Sequence, residues 1–524
     1  MGWTRWLVPS AADLFFVAML GTLAISALSV RLLGDAGIGW HIRTGQLILA
    51  THAVPRVDPF STLSGHPWFA WEWLYDVVVG WLEKTAGLNG VVVFTALIIA
   101  AVFSWTFRLL LRRGTNILVA LILVLLAVSA AMIHFLARPH VLSWLFTVAW
   151  FWILETSDHA AGQPSRPQLL RLLPLLMLLW VNVHGGFLVG LALLAIYGSS
   201  ATWQWLTLKE DRFEHVLQKI EAGKRVRALA FTGMLTVAAT LVNPYGYKLH
   251  VHIYRYLSNR FLMDHIDEFQ SPNFHYVAQR CFAGLLLLTL VALVVKKREV
   301  SASRGLVLLF AVYSGLYASR NIPVASLLLI LVIGPWLSEA MDRLQQRWSA
   351  RKQRPSARPS FFQRMQATEF ELRGHVWLIA AILLACWIAA HGGKLGATPL
   401  MDSQFSAKRF PVAAVDYIEK QQVTGPIAST DYWGGYLIYR LSPSVRIVVD
   451  DRHDFYGEEY LKSYLKMMNL APGWKEFLQQ HPAQCVLVPK DSALANLLLE
   501  TPAWKAIYKD DVAVAFVEGR MARQ

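Results

Sequence analysis

Apolar runs of roughly 20 residues recur along most of the chain, and short polar segments separate them. A run of this length spans the hydrocarbon core of a bilayer as one helix. The pattern predicts eleven membrane-spanning helices, at residues 11–33, 88–111, 116–135, 139–156, 168–184, 186–206, 227–243, 279–296, 304–320, 322–338 and 375–391. We therefore expect a polytopic α-helical membrane protein.

Composition supports this fold class. Of the 524 residues, 55% are hydrophobic and 16% are charged, whereas soluble proteins are about one quarter charged. The three cysteines, Cys281, Cys386 and Cys485, lack the number and spacing of a disulfide framework or a metal site.

The distribution of basic residues predicts the orientation. Lys and Arg concentrate on one side of the predicted spans, for example at Arg112, Arg113 and residues 351–358. Because cytoplasmic loops carry such an excess, this side and the N-terminus are expected to be cytoplasmic. Residues 339–374 are then a cytoplasmic linker near anionic lipid. The net charge of +14 is a topology signal and requires no nucleic-acid partner.

The residues after the last span predict a second domain. We divide the chain into a membrane domain, 1–391, and an extracytoplasmic soluble α/β domain, 392–524. Strand and helix patterns alternate in the second, which favours a largely parallel sheet, and the run VRIVVDD is typical of a buried strand. Asp451 lies at the end of that run, where ligands tend to bind. It is either a substrate contact or part of a solvated turn.

The segment from Gly34 to Leu82 is too long and too aromatic for a plain connector. It lies on the same predicted face as the C-terminal domain. Trp68, Trp71 and their neighbours are expected on an amphipathic helix in the headgroup plane. Asp35, just after the first span, is either a general base for a hydroxyl group or a polar residue without a task. His41 is either a ligand-binding group or an interface histidine.

Other polar groups are predicted at the same membrane face. Ionisable residues at membrane depth are costly and are by default functional hypotheses. Each could be a capping residue by itself, but they occur together, and Arg138 and Arg320 have the forked geometry that suits a phosphate. Further members include Arg43, Glu72, Asn182, His184, Asn243 and Tyr245.

Several of these motifs resemble the GT-C superfamily of integral-membrane glycosyltransferases, which includes protein mannosyltransferases, aminoarabinose transferases and oligosaccharyltransferases. More closely, the chain resembles a group of largely uncharacterised bacterial membrane proteins. The motifs are GDAGIGWHIRTG, VPRVDPFST, PWFAWEWL, ARPH, WVNVHGGF, NPYG, SPNF, SRNIP, DYWGGYLIYRL and VDDRHDFYG. The resemblance implies that Asp35 is the catalytic acid of the first external loop. Many members carry two adjacent acids there, whereas Ala36 follows here, so Asp58 and Glu72 stay open as the second acid.

The resemblance also implies a function. We expect a glycosyltransferase of the bacterial inner membrane that moves a hexosyl or pentosyl group, with inversion, from a polyprenyl-phosphate-linked donor to a protein, lipid or glycan acceptor on the periplasmic side. Arg138, His184 and Arg320 would bind the donor phosphate. The other substrate-binding candidates are His41, Arg43, Asn182, Asn243, Tyr245 and Asp451.

Two further points accompany this expectation. No cofactor or metal is required, although Asp35, His41 and Asp58 are compatible with a divalent metal. The alternatives are a transporter or scaffold of polysaccharide or glycolipid assembly with a degenerate GT-C fold, and a transferase or ligase that moves an oligosaccharide en bloc.

Overall fold

The N-terminal three quarters of the chain are helical. A computed structural model describes residues 4–158, 166–296, 299–351 and 361–519. In chain order, its helices up to residue 390 are α1 (Thr4–Leu7), α2 (Ala11–Ile25), α3 (Leu28–Leu32), α4 (Gly37–Thr51), α5 (Trp73–Arg112), α6 (Ile117–Ala131), α7 (His140–Thr156), α8 (Leu172–Trp180), α9 (Phe187–Thr207), α10 (Phe213–Ala239), α11 (Tyr247–Ser258), α12 (Arg260–His265), α13 (Val277–Val295), α14 (Ala302–Tyr317), α15 (Ile322–Arg351), α16 (Phe361–Glu371) and α17 (Val376–Ala390).

Several of these helices are long and apolar enough to cross a membrane. Within the described residues there are six, and the bent pair α16 and α17 is a seventh candidate. The predicted spans 168–184 and 304–320 correspond to the shorter apolar helices Pro167–Trp180 and Ala302–Tyr317. The protein is therefore a multi-pass membrane protein, and the number of eleven spans stays a prediction.

The first predicted span, residues 11–33, is two helices and not one. α2 ends at Ile25 and α3 begins at Leu28. Between them, the Ser26 hydroxyl donates to the Thr22 carbonyl at 2.5 Å and accepts the Leu28 N–H at 3.1 Å. A serine side chain that bonds to the backbone in this way competes with the helical pattern. The short α3 then leads directly into the turn that carries Asp35.

The aromatic part of the loop differs from its prediction. Trp68 and Trp71 precede α5, which begins at Trp73, so no amphipathic helix contains them. Trp68 is also buried, so it is part of the core and not a membrane anchor. Within α5, Gly87 has a φ of 62°, a left-handed conformation that glycine adopts without strain. This kink separates the loop-side part of α5 from the predicted span 88–111.

Most of the described part of the predicted linker, 339–374, is helical. It comprises the end of α15 and all of α16, whereas residues 352–360 lie outside the described residues. The Glu369 carboxylate accepts the backbone N–H groups of Ala11 and Ala12, at 2.6 and 3.2 Å. An acidic side chain at a helix N-terminus stabilises unpaired N–H groups there. α16 is thereby fastened to the start of α2.

The C-terminal part is an α/β unit. Its elements are β1 (Lys394–Leu395), β2 (Thr398–Pro399), α18 (Val412–Lys420), β3 (Ile427–Ser429), α19 (Asp431–Leu441), α20 (His453–Tyr456), α21 (Glu458–Met468), α22 (Trp474–Gln480), β4 (Cys485–Pro489), α23 (Ala493–Glu500), β5 (Trp504–Lys509) and β6 (Ala513–Glu518). It packs directly on the loop from Gly34 to Leu82, through contacts between α4 and α19. The domain division at residue 391 stays a prediction.

The main sheet is mixed, so the prediction of a largely parallel sheet is wrong. Its strand order is β3-β4-β6-β5, and only β3 and β4 are parallel. β5 and β6 form an antiparallel hairpin whose turn is closed by Asp510, which accepts two backbone N–H groups at 2.7 Å. The run VRIVVDD is buried but forms no strand, since Ile447 makes only single bridges to Ile427 and Ser61.

Two glycines permit the close approach of α4 and α19. A methyl group on Gly435 would collide with the Ala36 carbonyl, and one on Gly39 would collide with the Gly435 carbonyl and lie 2.8 Å from Tyr439 Cβ. The obstructing atoms are mostly backbone and cannot rotate away. The loop and the C-terminal unit therefore meet backbone to backbone at this crossing.

We expect Gly435→Ala to lower the free energy of unfolding by about 1–3 kcal/mol, the usual cost of overpacking a core. The check is the melting temperature of the purified protein in detergent. Gly198→Ala in α9 is the matched control, because a Cβ atom on Gly198 would have no neighbouring atom within 4 Å and alanine is the better helix former there. Equal melting temperatures for both variants would contradict the tight crossing.

Candidate active site

Asp35 lies in the turn between α3 and α4. Its Oδ1 accepts the Gly37 N–H at 2.7 Å and lies 3.4 Å from Arg138 Nε. Both contacts use the same oxygen, so within the described part of the chain Oδ2 stays open to a substrate hydroxyl. The Asp35 side chain keeps 26% of its surface exposed. This carboxylate is therefore held in place by one oxygen and accessible at the other.

Gly37 is the point at which three charged side chains converge. A Cβ atom there would lie 2.6 Å from Asp451 Oδ2, 2.8 Å from Arg138 Nη2 and 2.9 Å from Asp35 Oδ1. Any other residue at position 37 would displace at least one of them. The glycine thus brings together groups from the first loop, the turn before α7 and the C-terminal unit.

Arg138 lies between two carboxylates. Its Nη2 donates to Asp451 Oδ2 at 3.0 Å, and its Nε faces Asp35. Burial opposes the charged form, but the charges of Asp35 and Asp451 outweigh it and raise the pKa of Arg138 above its ordinary value. The guanidinium is therefore permanently charged and oriented.

Asp451 comes from the C-terminal unit and completes this cluster. Besides Arg138, its Oδ1 accepts the Trp40 indole N–H at 3.1 Å. Burial raises the pKa of Asp451 to about 7, because it outweighs the opposing charge of Arg138. The predicted substrate-contact residue therefore lies beside Asp35, and its carboxyl group titrates near neutral pH.

A second polar group surrounds Glu72, just before α5. Glu72 Oε2 lies 3.8 Å from His41 Nε2, and Glu72 Oε1 lies 3.7 Å from His184 Nε2. His41 Nδ1 in turn contacts Asp76 at 2.5 Å. Burial raises the pKa of Glu72 to about 8, despite the lowering effect of Arg138. Glu72 is therefore mostly protonated at neutral pH.

His184 has a defined tautomer. The Gly186 N–H donates to its Nδ1 at 2.9 Å. Ser143 Oγ accepts the Trp180 indole N–H at 2.7 Å, so its own hydrogen is directed to the same Nδ1 at 2.8 Å. The ring proton is consequently on Nε2 and faces Glu72. Because its Nδ1 accepts two hydrogen bonds, this histidine is a neutral N–H donor and not a cation.

The state of Glu72 predicts a pH-dependent stability. Its pKa in the folded protein is above its ordinary value of 4.5, so the folded protein keeps a proton that the unfolded chain releases. The stabilisation that protonated Glu72 gives the folded protein is fully present below pH 4.5 and is lost as the pH rises towards 8. A shift from 4.5 to about 8, at about 1.4 kcal/mol per pKa unit, sets an upper limit of about 5 kcal/mol.

We therefore expect Glu72→Gln to flatten the decline of the unfolding free energy between pH 5 and 8. Denaturation of the protein in mixed micelles, repeated at several pH values in this range, measures the unfolding free energy. Glu371→Gln, at a half-exposed carboxylate, should leave the decline unchanged. If Glu72→Gln keeps the parental slope, Glu72 is ionised in the folded protein.

Arg320 lies in the short turn between α14 and α15, close enough to act on Glu72. It pairs with Glu268 at 3.3 Å and lies over the Phe269 ring at 4.5 Å. Burial opposes ionisation of Glu268, but the charges of Arg320 and Arg138 lower its pKa to about 2. Both arginines therefore act electrostatically on the same two carboxyl groups, Glu268 and Glu72.

Asp58 has a different environment from Asp35. Its Oδ1 accepts from Arg452 Nη1 at 2.7 Å, and its Oδ2 accepts the Ser61 backbone N–H at 2.8 Å. Arg452 also binds Asp450, and all three charged side chains are at most 1% exposed. With both oxygens occupied, Asp58 connects the loop to the C-terminal unit. Its role as the second catalytic acid stays a prediction.

Other predicted binding residues make contacts that hold loops and helices together. Arg43 donates to the Tyr439 carbonyl in α19 at 2.8 Å. Asn182 accepts the Trp73 indole N–H at 2.8 Å, and Asn243 accepts the Tyr245 N–H at 2.8 Å. The Tyr245 hydroxyl accepts the Ala70 N–H at 2.8 Å. Within the described ranges, none of these contacts is with Asp35, Arg138 or Asp451.

The three residues that were expected to be compatible with a metal, Asp35, His41 and Asp58, have different partners. These partners are Arg138, Asp76 and Arg452, respectively. Among the residues that the structure describes, no three His, Cys, Asp or Glu side chains are placed to hold a metal ion. Sequence reasoning assigned no role to Ser143 and Asp76, which contact His184 and His41. Their hydroxyl and carboxyl groups inside apolar helices were the available signal.

The fold of this chain is similar to the folds of two proteins of known structure. The oligosaccharyltransferase of Archaeoglobus fulgidus in the apo form has a TM-score of 0.51 and 12% identity, over 91% of this chain and 69% of that one. The same protein, AglB, in complex with an inhibitory peptide and a dolichol-phosphate has a TM-score of 0.50 and 12% identity, over the same shares of both chains.

ArnT from Cupriavidus metallidurans, bound to undecaprenyl phosphate, has a TM-score of 0.51 and 14% identity, over 96% of this chain and 97% of that one. No protein-family model and no curated protein matches the chain. At identities this low the similarity is one of architecture. The chain therefore shares the fold of ArnT and AglB.

Proposed function

We propose that this protein is a membrane glycosyltransferase that moves a sugar from a polyprenyl-phosphate-linked donor to an acceptor hydroxyl or amide. The observation that carries the proposal is the convergence of Asp35, Arg138 and Asp451 around Gly37. A carboxylate with one open oxygen beside a partly buried guanidinium combines a general base with an anion site.

The nature of the donor is supported by the comparisons. ArnT was solved with undecaprenyl phosphate and AglB with a dolichol-phosphate, and both share this fold. The guanidinium groups of Arg138 and Arg320 suit the phosphate of such a lipid, because one guanidinium can donate two parallel hydrogen bonds to phosphate oxygens.

The proposed reaction is a single displacement. Asp35 accepts the proton of the acceptor group, whose oxygen or nitrogen forms the new bond to the anomeric carbon. The bond from that carbon to the phosphate oxygen breaks, and the configuration inverts. Arg138 and Arg320 stabilise the negative charge of the departing polyprenyl phosphate. His184 contributes its neutral Nε2–H to the same region.

The proposed location follows the distribution of Lys and Arg. The N-terminus is cytoplasmic in a bacterial inner membrane, and the site and the C-terminal unit are periplasmic. The donor enters laterally from the outer leaflet, and the acceptor approaches beneath the C-terminal unit. The scheme uses side chains only, so we expect EDTA to leave donor turnover unchanged; a loss that Mg²⁺ or Mn²⁺ restores would add a divalent metal to it.

The test is donor turnover by the purified full chain in detergent. A panel of polyprenyl-phosphate sugars and oligosaccharide-loaded polyprenyl lipids is offered, with sugar nucleotides as the control, and release of the lipid phosphate is followed. We expect release from polyprenyl-phosphate sugars alone. Release only from the oligosaccharide lipids would identify an en bloc transferase, and no release with peptide, glycolipid and glycan acceptors would favour a transporter or scaffold.

A further inference from the structure

A cleft lies at the membrane face opposite the candidate active site. α9 begins at Phe187, next to His184, and its 21 residues span about 30 Å at 1.5 Å per residue. Its last turn therefore lies at the other face, where it meets the first half of α10. Between them is a cavity of about 510 Å³, a size typical of small-molecule sites.

The walls of this cleft are apolar, and its charged groups are mainly cationic. Trp205 comes from α9, and Lys219 and Arg227 come from α10. The acid among the lining residues, Glu210, is paired with Lys219 at 2.6 Å. Arg227 makes no hydrogen bond or ion pair with any residue that the structure describes. The cleft therefore presents an unneutralised guanidinium beside an apolar wall.

The cleft is held open by specific contacts. A Cβ atom on Gly223 would lie 3.2 Å from the Trp205 indole nitrogen, so glycine allows the indole to lie against α10. Arg225 Nη1 pairs with Asp158 at 2.7 Å, which fixes this part of α10 to the residues following α7. Two independent contacts thus define the position of the α10 wall.

The surface next to the cleft is apolar. Phe213, Leu217 and Ile220 are 77%, 48% and 49% exposed, and their spacing places them on one face of α10. Trp203 and Leu206 of α9 are exposed beside them. An apolar stripe next to basic residues is typical of a helix at the membrane interface, so this stripe would contact acyl chains while the cleft lies at headgroup level.

We propose that this cleft binds the phosphate headgroup of an anionic phospholipid from the leaflet opposite the candidate active site. The Arg227 guanidinium would pair with the phosphate, Lys219 would add charge, and Trp205 and the α10 stripe would contact the glycerol and acyl parts. Basic pockets between membrane helices bind anionic headgroups in this way. The proposal is independent of the proposed glycosyl transfer.

Native mass spectrometry of the full chain in detergent tests this proposal, with added dioleoyl phosphatidylglycerol and with dioleoyl phosphatidylcholine. We expect phosphatidylglycerol to be retained in preference to phosphatidylcholine. Arg227→Gln should weaken its retention about fivefold, the loss expected for one interfacial cation. Lys224→Gln is the matched control, because Lys224 is on the same helix, pairs with Glu221 at 2.7 Å and does not line the cleft.

The two variants separate a site from general surface charge. Selective loss in Arg227→Gln, with unchanged melting temperatures in phosphatidylcholine for both variants, supports the site. Equal losses in both variants, or equal retention of the two lipids by the parent protein, would overturn it. If inorganic phosphate binds the parent protein but phosphatidylglycerol is retained no better than phosphatidylcholine, the ligand is free phosphate and not a lipid headgroup.

Discussion

Asp35→Asn is expected to reduce the rate of sugar transfer by about 10²–10⁴-fold, the usual contribution of a general base. Asparagine has the same shape, and its side-chain oxygen can still accept the Gly37 N–H, so the α3–α4 turn should keep its geometry. What disappears is the ability to accept a proton at the open oxygen. Lipid-phosphate release from the donor is the measurement.

Two comparisons make this result specific. Asp511→Asn removes a fully exposed carboxylate whose partner is Lys490 and should keep the parental rate. Donor binding by Asp35→Asn should stay near the parental affinity, because the phosphate would be held by Arg138 and Arg320. If Asp35→Asn keeps its rate while Asp451→Asn loses it, the base is Asp451, whose carboxyl pKa of about 7 also fits proton transfer.

Arg452→Met is expected to lower the free energy of unfolding by about 3–5 kcal/mol, the cost of removing one partner from a buried ion pair. The substitution leaves the buried carboxylates of Asp58 and Asp450 without their shared cation. It also removes a guanidinium that lies 4.7 Å from the Trp68 ring centre. Methionine fills part of the volume but cannot neutralise either acid.

Thermal melting in detergent, together with limited proteolysis of the loop from Gly34 to Leu82, measures the loss. Arg440→Met is the matched control. Arg440 also contacts two acids, Asp416 and Glu419, but it is partly exposed, so its removal should cost at most about 1 kcal/mol. If Arg452→Met and Arg440→Met have the same melting temperature, the buried triad does not hold the loop to the C-terminal unit.

The fold class and the main catalytic candidate could be predicted from the sequence. An apolar run long enough to cross a bilayer is a local property, because a helix satisfies its backbone hydrogen bonds within the run itself. The same local reasoning places Asp35 after the first apolar run and Arg138 in a short polar turn. Local patterns also predicted that strands and helices alternate in the C-terminal part, as β3, β4 and α23 do.

Errors arose where structure depends on distant partners. Whether VRIVVDD forms a strand depends on a neighbour to pair with, and Ile447 makes only single bridges to two segments. The sheet is mixed because the neighbour of β4 on the side away from β3 is β6, a strand of the antiparallel β5–β6 hairpin. A further helical crossover would have placed a parallel strand there. Trp68 resembled a membrane anchor because the sequence does not reveal that Arg452, 384 positions later, stacks on it.

The sequence by itself determined that this chain crosses the membrane several times and carries ionisable residues in the polar segments between apolar runs. Only the tertiary structure decided which of them meet. Asp58 and Asp35 are both acids of the first loop, yet one is neutralised by Arg452 and the other faces Arg138 with an open oxygen. Asp451 joins Arg138 across 313 positions. A carboxylate's chemistry depends on burial and on the charges around it, and those are set by packing between segments far apart in the chain.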